Sequence, residues 1–577
     1  MTGVSLIPLY LGDCFGWLHL AGGSRGAIIC SAYGVEDLCT HRFIRHLGAE
    51  LASAGLPTLR FDYHGTGDSS GTDDDPDRVK RWLSDIHNAI AWLKENTGVA
   101  EVALIGFRLG ALLATEVATN ATGISHLVLI DAPPSGNTHL REMKALGILS
   151  AEGAPSDSAS EEREGYVEVA GFSISPATCD ELKKIDLLKL GSAPAERVLL
   201  AGKRLTKNHD RIEAHLRSLG CSVERQIIPG YDELVWSSSF AELPADAFHE
   251  VMKWISRELT LTGVRTLQNP TTQLSTETWH EKPVLFGDRG NLFGVFCTPA
   301  TTTELDNRKH AVLFLNHGSN HHIGWARMHV LFAREFAKHG FASLRMDVSG
   351  MGDSPAQPKQ HENQLYARHS QFDVYAAIDW LRSEGYHSVT VVGHCAGAHL
   401  AFYSAVRDPR ISALVMLNLQ RFFWARGESL AVATRQSFRS SDFYLAGLSS
   451  LHMWRRLLKG QINVTGIAAT MARRQWQRLA ASMAHIAGVV GKGGSYGKVY
   501  RWLRELTARG AHVLFVYSTD DGGLDELEKY LGKKAKRAKK LSNVSFRTIE
   551  HADHNLTSAA SRERYALILL EHLANQK

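Results

Sequence analysis

Cys395, in the hexapeptide GHCAGA at 393–398, is the side chain best placed by its neighbours to do chemistry. It follows an apolar run, VTVV, and leads into helix-forming residues. A small-x-nucleophile-x-small pentapeptide between strand and helix turns so sharply that the residues two before and two after the nucleophile must be tiny. Gly393 and Gly397 meet that demand. The thiol then stands at a helix N-terminus, where partial positive charge favours the thiolate. The same helix end offers the backbone N–H of Ala396 to an oxyanion. A second N–H is expected from the turn after an earlier strand, and AVLFLNHGSN at 311–320 supplies Gly318 and Ser319 there. A nucleophile flanked by two such donors suits acyl chemistry. A near copy of the turn, GFRLGA at 106–111, carries Arg108 at its centre. A guanidinium keeps its proton at physiological pH and cannot attack.

Such turns need a strand before and a helix after, and the chain writes that frame twice. LASAGLPTLRFDYHGTGDSSG (51–71) matches FAKHGFASLRMDVSGMGDSPA (336–356), and SDIHNAIAWLKE (84–95) matches FDVYAAIDWLRS (372–383), at nearly constant offset. HLVLID (126–131) and ALVMLN (413–418) continue the pairing. Short β-branched runs alternating with amphipathic helices predict βαβ units on a parallel sheet. A repeat as long as a domain predicts two tandem α/β domains rather than a solenoid. Each half resembles the α/β-hydrolase fold, a mostly parallel sheet flanked by helices, whose catalytic groups follow the order nucleophile, acid, histidine.

That resemblance implies positions for the acid and the histidine. HVLFVYSTDDGG (512–523) reads as a strand ending in two aspartates, where spacing favours Asp521 and leaves Asp520 as the alternative. VSFRTIEHADHNL (544–556) ends in two histidines, of which His554 falls at the family's final position and His551 reads as loop. Cys395 would attack, His554 would take and return the proton, Asp521 would orient His554, and Ala396 and Ser319 would hold the oxyanion. The first half has Arg108 at the nucleophile position, no aspartate at the required turn of RVLLAGKRLTKNHD, and Glu233, in GYDEL, where the histidine would be. Residues 1–262 are therefore expected to form a non-catalytic α/β-hydrolase-like domain, with Arg108 facing Glu233 or an anionic ligand. A polar linker is expected at 263–280, and a catalytic domain at 281–577 that opens with a hairpin around Asp288–Gly290. A helical lid is expected at about 421–508, where Trp454, Arg455, Arg456, Arg473, Arg474 and Trp476 are candidates for holding a phosphopantetheine arm or an apolar acyl chain.

The halves are further similar to a pair of bacterial proteins, the exosortase-A-system-associated hydrolases of types 2 and 1. GFRLGALLA (106–114), AYGVEDLCTHRF (32–43) and VEVAGFSIS (167–175) carry the likeness to type 2. The elbow cysteine, Arg327 in GWARMHVLFARE and the GMGDS loop (350–354) carry the likeness to type 1. The resemblance implies fold and nucleophile, and leaves the substrate open.

A thiol nucleophile favours acyl transfer or thioester hydrolysis, since its acyl-enzyme is itself a thioester open to amines, alcohols and water. The expected partner is an acyl thioester on coenzyme A or an acyl carrier protein, which the basic run KKAKRAKK (533–540), expected on a surface helix between the acid and the histidine, could meet. Alternatives are a small ester or lactone hydrolase of the dienelactone-hydrolase type, and a non-enzymatic tandem binding scaffold. With 577 residues, 44% hydrophobic and 21% charged, the chain is an ordinary globular one with more than one core. A net charge of +4 gives no reason to expect nucleic acid. Seven scattered cysteines without C-x-x-C spacing argue for a reducing compartment and against a zinc site, so neither metal nor cofactor is expected. The first residues lack a basic start and a continuous apolar core, and no long apolar run follows. A cytoplasmic enzyme without a membrane span is the expectation.

Overall fold

The computed structural model describes residues 5–151, 163–230, 245–265, 267, 270–301, 310–424, 428, 495–519 and 521–576. The described residues fall into two units, one reaching Pro283 and the other running from Val284 onward.

The first unit has strands β1 (Leu6–Leu11), β2 (Cys14–His19), β3 (Arg25–Cys30), β4 (Thr58–Phe61), β5 (Glu101–Phe107) and β6 (Ile124–Ile130). A small hairpin follows, β7 (Val167–Val169) and β8 (Phe172–Ile174), then β9 (Arg197–Gly202) and β10 (Ser222–Ile227). Eight of them form one sheet in the order β1-β2-β4-β3-β5-β6-β9-β10. From β4 onward neighbours are parallel, while β2 meets β4 antiparallel. A strand buried on both faces should be apolar throughout rather than alternating, and β5 (VALIGF after Glu101) and β6 read that way.

The second sheet repeats this plan. Its strands are β11 (Leu274–Ser275), β12 (Trp279–Phe286), β13 (Leu292–Pro299), β14 (His310–Phe314), β15 (Ala342–Met346), β16 (Ser388–His394), β17 (Ile411–Leu417), β18 (His512–Ser518) and β19 (Val544–Ile549). Their order is β11-β12-β13-β15-β14-β16-β17-β18-β19, parallel from β15 to β19. The nucleophile-turn strands β5 and β16 occupy the same place in the two sheets. The helices Leu109–Asn120 and Ala396–Arg407 leave those turns and pack on their own strands.

Two expectations meet the structure differently. The stretch 263–280 is not all linker, because β11 and the start of β12 lie in it and begin the second sheet. The run KKAKRAKK does not form a surface helix but two 3₁₀ turns, Lys533–Ala535 and Ala538–Lys540. Its alanines are buried and its lysines exposed, so the turns pin a solvated basic face to the domain. Of the expected lid, Ser495–Ala508 is a helix, while 425–427 and 429–494 lie outside the described residues. The hairpin around Asp288–Gly290 is present between β12 and β13. Among the described residues no helix is long and apolar enough to cross a membrane.

Candidate active site

The two elbows share one backbone geometry. Cys395 has φ 56° and ψ −114°, and Arg108 has φ 50° and ψ −112°. A non-glycine residue there is strained, and the surrounding structure must hold it. The Cys395 N–H donates to Leu417 O at 3.0 Å, and the Arg108 N–H to Ile130 O at 3.0 Å. A Cβ on Gly393 would overlap the Gly397 carbonyl, and one on Gly397 the Asn316 carbonyl. The first unit repeats these clashes, Gly106 against Ala111 and Gly110 against the Cys30 and Ser31 carbonyls. Close packing of helix on strand, not flexibility, fixes these glycines.

Cys395 is half-buried, whereas the other six cysteines are buried. Its thiol is in hydrogen-bonding contact with His554. His554 Nδ1 faces Asp521 Oδ2 at 2.5 Å, so Nε2 is the nitrogen left for the thiol. Burial by itself would lower the His554 pKa. The Asp521 carboxylate, then the Cys395 sulfur, outweigh it and hold the ring well above the ordinary imidazole value. The other Asp521 oxygen accepts from Gln420 Nε2 and from the Gly523 N–H, both at 2.7 Å. Asn418, at φ 48° after β17, donates to the His554 carbonyl at 2.8 Å and to Ser518 Oγ at 3.0 Å. His551 is exposed, at φ 56° in the loop before His554.

The sequence singles out Cys395, Asp521 and His554, and the fold brings these three together. It also adds contacts that the sequence does not show. Gln420 and Asn418 follow β17 in the stretch LNLQ, whose only signal is two amides just beyond a buried strand. His394 and His317 stack at 3.6 Å between ring centroids, and His394 Nε2 donates to the His554 carbonyl at 2.7 Å. Burial holds both rings far below their ordinary pKa, so they are neutral. Ring nitrogens of His317, His394 and His554 lie within 4.8 Å of one another, a spacing that could admit a cation. His322, Asp347 and Asp353 form a second such group, but Asp347 already accepts from Asn316, His322 and the Asp353 N–H, which makes it a brace for the Gly-rich turn.

Gly318 and Ala396 both line a pocket of about 310 Å³ that begins at the elbow. The turn carrying Ser319 thus meets the nucleophile turn, as an oxyanion site requires. Asp520, Trp454, Arg455, Arg456, Arg473, Arg474 and Trp476 lie outside the described residues.

In the first unit Arg108 occupies the nucleophile position amid carboxylates. Nε donates to Glu36 at 3.0 Å, Nη2 to Glu142 at 2.7 Å, and Nη1 to the Asp131 carbonyl at 3.1 Å, with the Asp131 carboxylate 3.6 Å away. These anions offset a cation at a helix N-terminus, which the macrodipole disfavours. Glu233, the partner expected from the sequence, lies outside the described residues.

Sheet order and family matches together define a tandem α/β-hydrolase fold. Residues 311–557, which contain Cys395, Asp521 and His554, match the alpha/beta hydrolase fold family, and residues 25–151 match the serine aminopeptidase family, S33. The uncharacterized protein YcjY of Escherichia coli (strain K12) is 36% identical over 86 residues, 14% of this chain and 27% of that protein. The match thus spans about a quarter of that relative's length. An esterase of Pyrococcus furiosus aligns at 17% identity and TM-score 0.33, over 44% of this chain and 90% of its own. Ferulic-acid-bound Est1E of Butyrivibrio proteoclasticus aligns at 14% and 0.32, over 44% and 98%.

Proposed function

We propose that the second domain performs acyl transfer or thioester hydrolysis through a Cys395–His554–Asp521 triad. One observation carries the reading: a strained elbow thiol contacts a histidine whose other nitrogen is bound to a buried carboxylate. The thiolate attacks the carbonyl carbon and the oxyanion takes hydrogen bonds from the Ala396 and Ser319 N–H groups. Collapse breaks the bond to the leaving thiol, which receives its proton from His554. His554 then deprotonates water, an amine or an alcohol, whose attack on the acyl-cysteine frees Cys395. Asp521 orients the ring. The first domain, with Arg108 at its elbow, takes no part in the chemistry.

A small ester or lactone hydrolase would use the same groups, and a binding scaffold would use none of them. The likeness of both halves to exosortase-A-system-associated hydrolases suits the first two readings, and a cytoplasmic enzyme acting on coenzyme A or carrier-bound acyl groups is the form proposed. Intact mass after incubation with a panel of acyl thioesters, esters and lactones tests the scheme. An acyl adduct should form on the wild type and be absent from Cys395→Ala, whose turnover should fall to background. Adduct formation by Cys395→Ala would sink the assignment, and faster acylation by lactones than by thioesters would select the second reading.

A further inference from the structure

The pocket that opens at the elbow has a direction. Ala396, His399, Leu400, Tyr403 and Arg407 all line it, and their spacing is one stripe along the helix Ala396–Arg407. The pocket therefore runs from the nucleophile turn toward the C-terminal end of that helix, eleven residues of rise or about 16 Å.

Its wall is a ladder of rings. Trp424 stacks on Tyr366 at 4.2 Å, Tyr366 meets the edge of His399 at 5.0 Å, and His399 stacks on Tyr403 at 4.6 Å. Tyr403 then meets Trp502 at 5.5 Å. Burial depresses the His399 pKa to about 4, so this ring is neutral and adds no charge to the wall.

The far end differs in character. Arg368, Arg407 and Lys498 line the pocket and are exposed there. The two guanidinium groups both act on the Tyr403 hydroxyl, which places them at one end. Lys498 stands one helical turn before Trp502, on the same face of Ser495–Ala508. No carboxylate lines the pocket among the described residues. Asp408, which follows this helix, pairs with Arg410, as does Asp379. A slot with Ala396 and Gly397 of the elbow and Gly318 at one end, an aromatic wall, and three cations at the other fits an elongated ligand with an anion opposite its reacting carbonyl.

We infer that this pocket selects substrates carrying a carboxylate or phosphate roughly a dozen bonds from the reacting carbonyl, the span of about four extended residues. The inference rests on Cys395 being the nucleophile. Guanidinium groups bind both anions in a bidentate fork, so two positions suit the pocket equally: the phosphate of a phosphopantetheine arm, or a terminal carboxylate on the acyl group.

Calorimetric titration of the full-length Cys395→Ala protein separates them without needing turnover. One matched pair is 4′-phosphopantetheine against pantetheine. The other is the N-acetylcysteamine thioester of dodecanedioic acid against that of dodecanoic acid. In at least one pair the anionic member should bind about tenfold more tightly, an advantage that falls as salt rises. Arg368→Gln with Arg407→Gln should bring both ratios near one. Preference in the first pair assigns the anion to the thiol arm, and preference in the second assigns it to the acyl group. Equal affinities within both pairs, or a preference that survives the double variant, overturn the inference. Since binding is read, failure of Cys395 acylation in the wild type would refute the catalytic reading separately.

Discussion

At the scale of single residues, Asp521 and Gln420 make distinguishable contributions. Asp521 fixes the tautomer of His554, so Asp521→Asn should lower kcat by up to about 10⁴, roughly 5 kcal/mol of barrier. Gln420 donates to the oxygen of Asp521 that does not face His554, and Gln420→Ala should cost about tenfold in kcat with KM unchanged. A loss below tenfold for Asp521→Asn would reduce the site to a Cys–His pair. Arg108 is the counterpart in the first domain, and its removal should act on stability alone. Glu36 is buried, and desolvation raises its pKa above 4.5 while Arg108 pulls it down. In Arg108→Ala that opposing pull is gone, so the folded-state pKa of Glu36 rises further. A raised carboxyl contributes stability that is present below its unfolded value and lost as pH rises through the folded one. The variant should therefore be about 3 kcal/mol less stable at neutral pH, the cost of stranding a buried charge, and closer to wild type near pH 5. Denaturant unfolding at both pH values, with Cys395 turnover assayed in parallel, checks this. A constant deficit, or lost turnover, contradicts it.

At the scale of elements, the two elbows are one device with different cargo. Gly393→Ala would push a Cβ into the Gly397 carbonyl, and Gly110→Ala one into the Cys30 and Ser31 carbonyls. Each should cost about 1–3 kcal/mol or more, as backbone overlap leaves no soft side chain to yield. Turnover should collapse in Gly393→Ala, where Cys395 is displaced, and persist in Gly110→Ala at temperatures where the protein stays folded. Equal losses would mean that the first elbow also serves catalysis. The elbows, the two parallel α/β sheets and the Asp521–His554 pair were legible because local signals carry them: a glycine pair around one residue, unbroken apolar runs, and polar groups at strand ends. Gln420 and the His317–His394 stack were not, since each matters only through residues far away in sequence that the sheet aligns. Arg108 shows the same limit, for Glu36, Asp131 and Glu142 come from three separate segments and no local pattern joins them. The 263–280 stretch misled in the other direction, because its Thr-rich composition hides two strands that open a sheet.

At the scale of the whole molecule, the neutral buried histidines set how the protein meets acid. In the second domain His310, His329, His399 and His572 are each pushed down to about 4 by burial, and His317 and His394 further. In the first domain His126 is lowered to about 4 and His139 to about 3. A base whose folded pKa is depressed takes up its proton more readily when unfolded. Its contribution to stability is therefore complete above the unfolded value of 6.5 and disappears as pH falls toward the folded one. Holding a fully buried ring near 4 instead of 6.5 corresponds to on the order of 3 kcal/mol, so a few such rings rival a typical domain stability of about 5–15 kcal/mol. His554 works against this trend, since its raised pKa adds stability below 6.5 that is lost as pH rises through its folded value. One such group does not offset six. The second domain should thus unfold first on acidification, between pH 6.5 and 4, with the first domain following at lower pH. Hydrogen exchange followed by peptide mass spectrometry across that range resolves the two domains, and protection lost first from β3–β6 rather than β14–β18 would contradict the ranking.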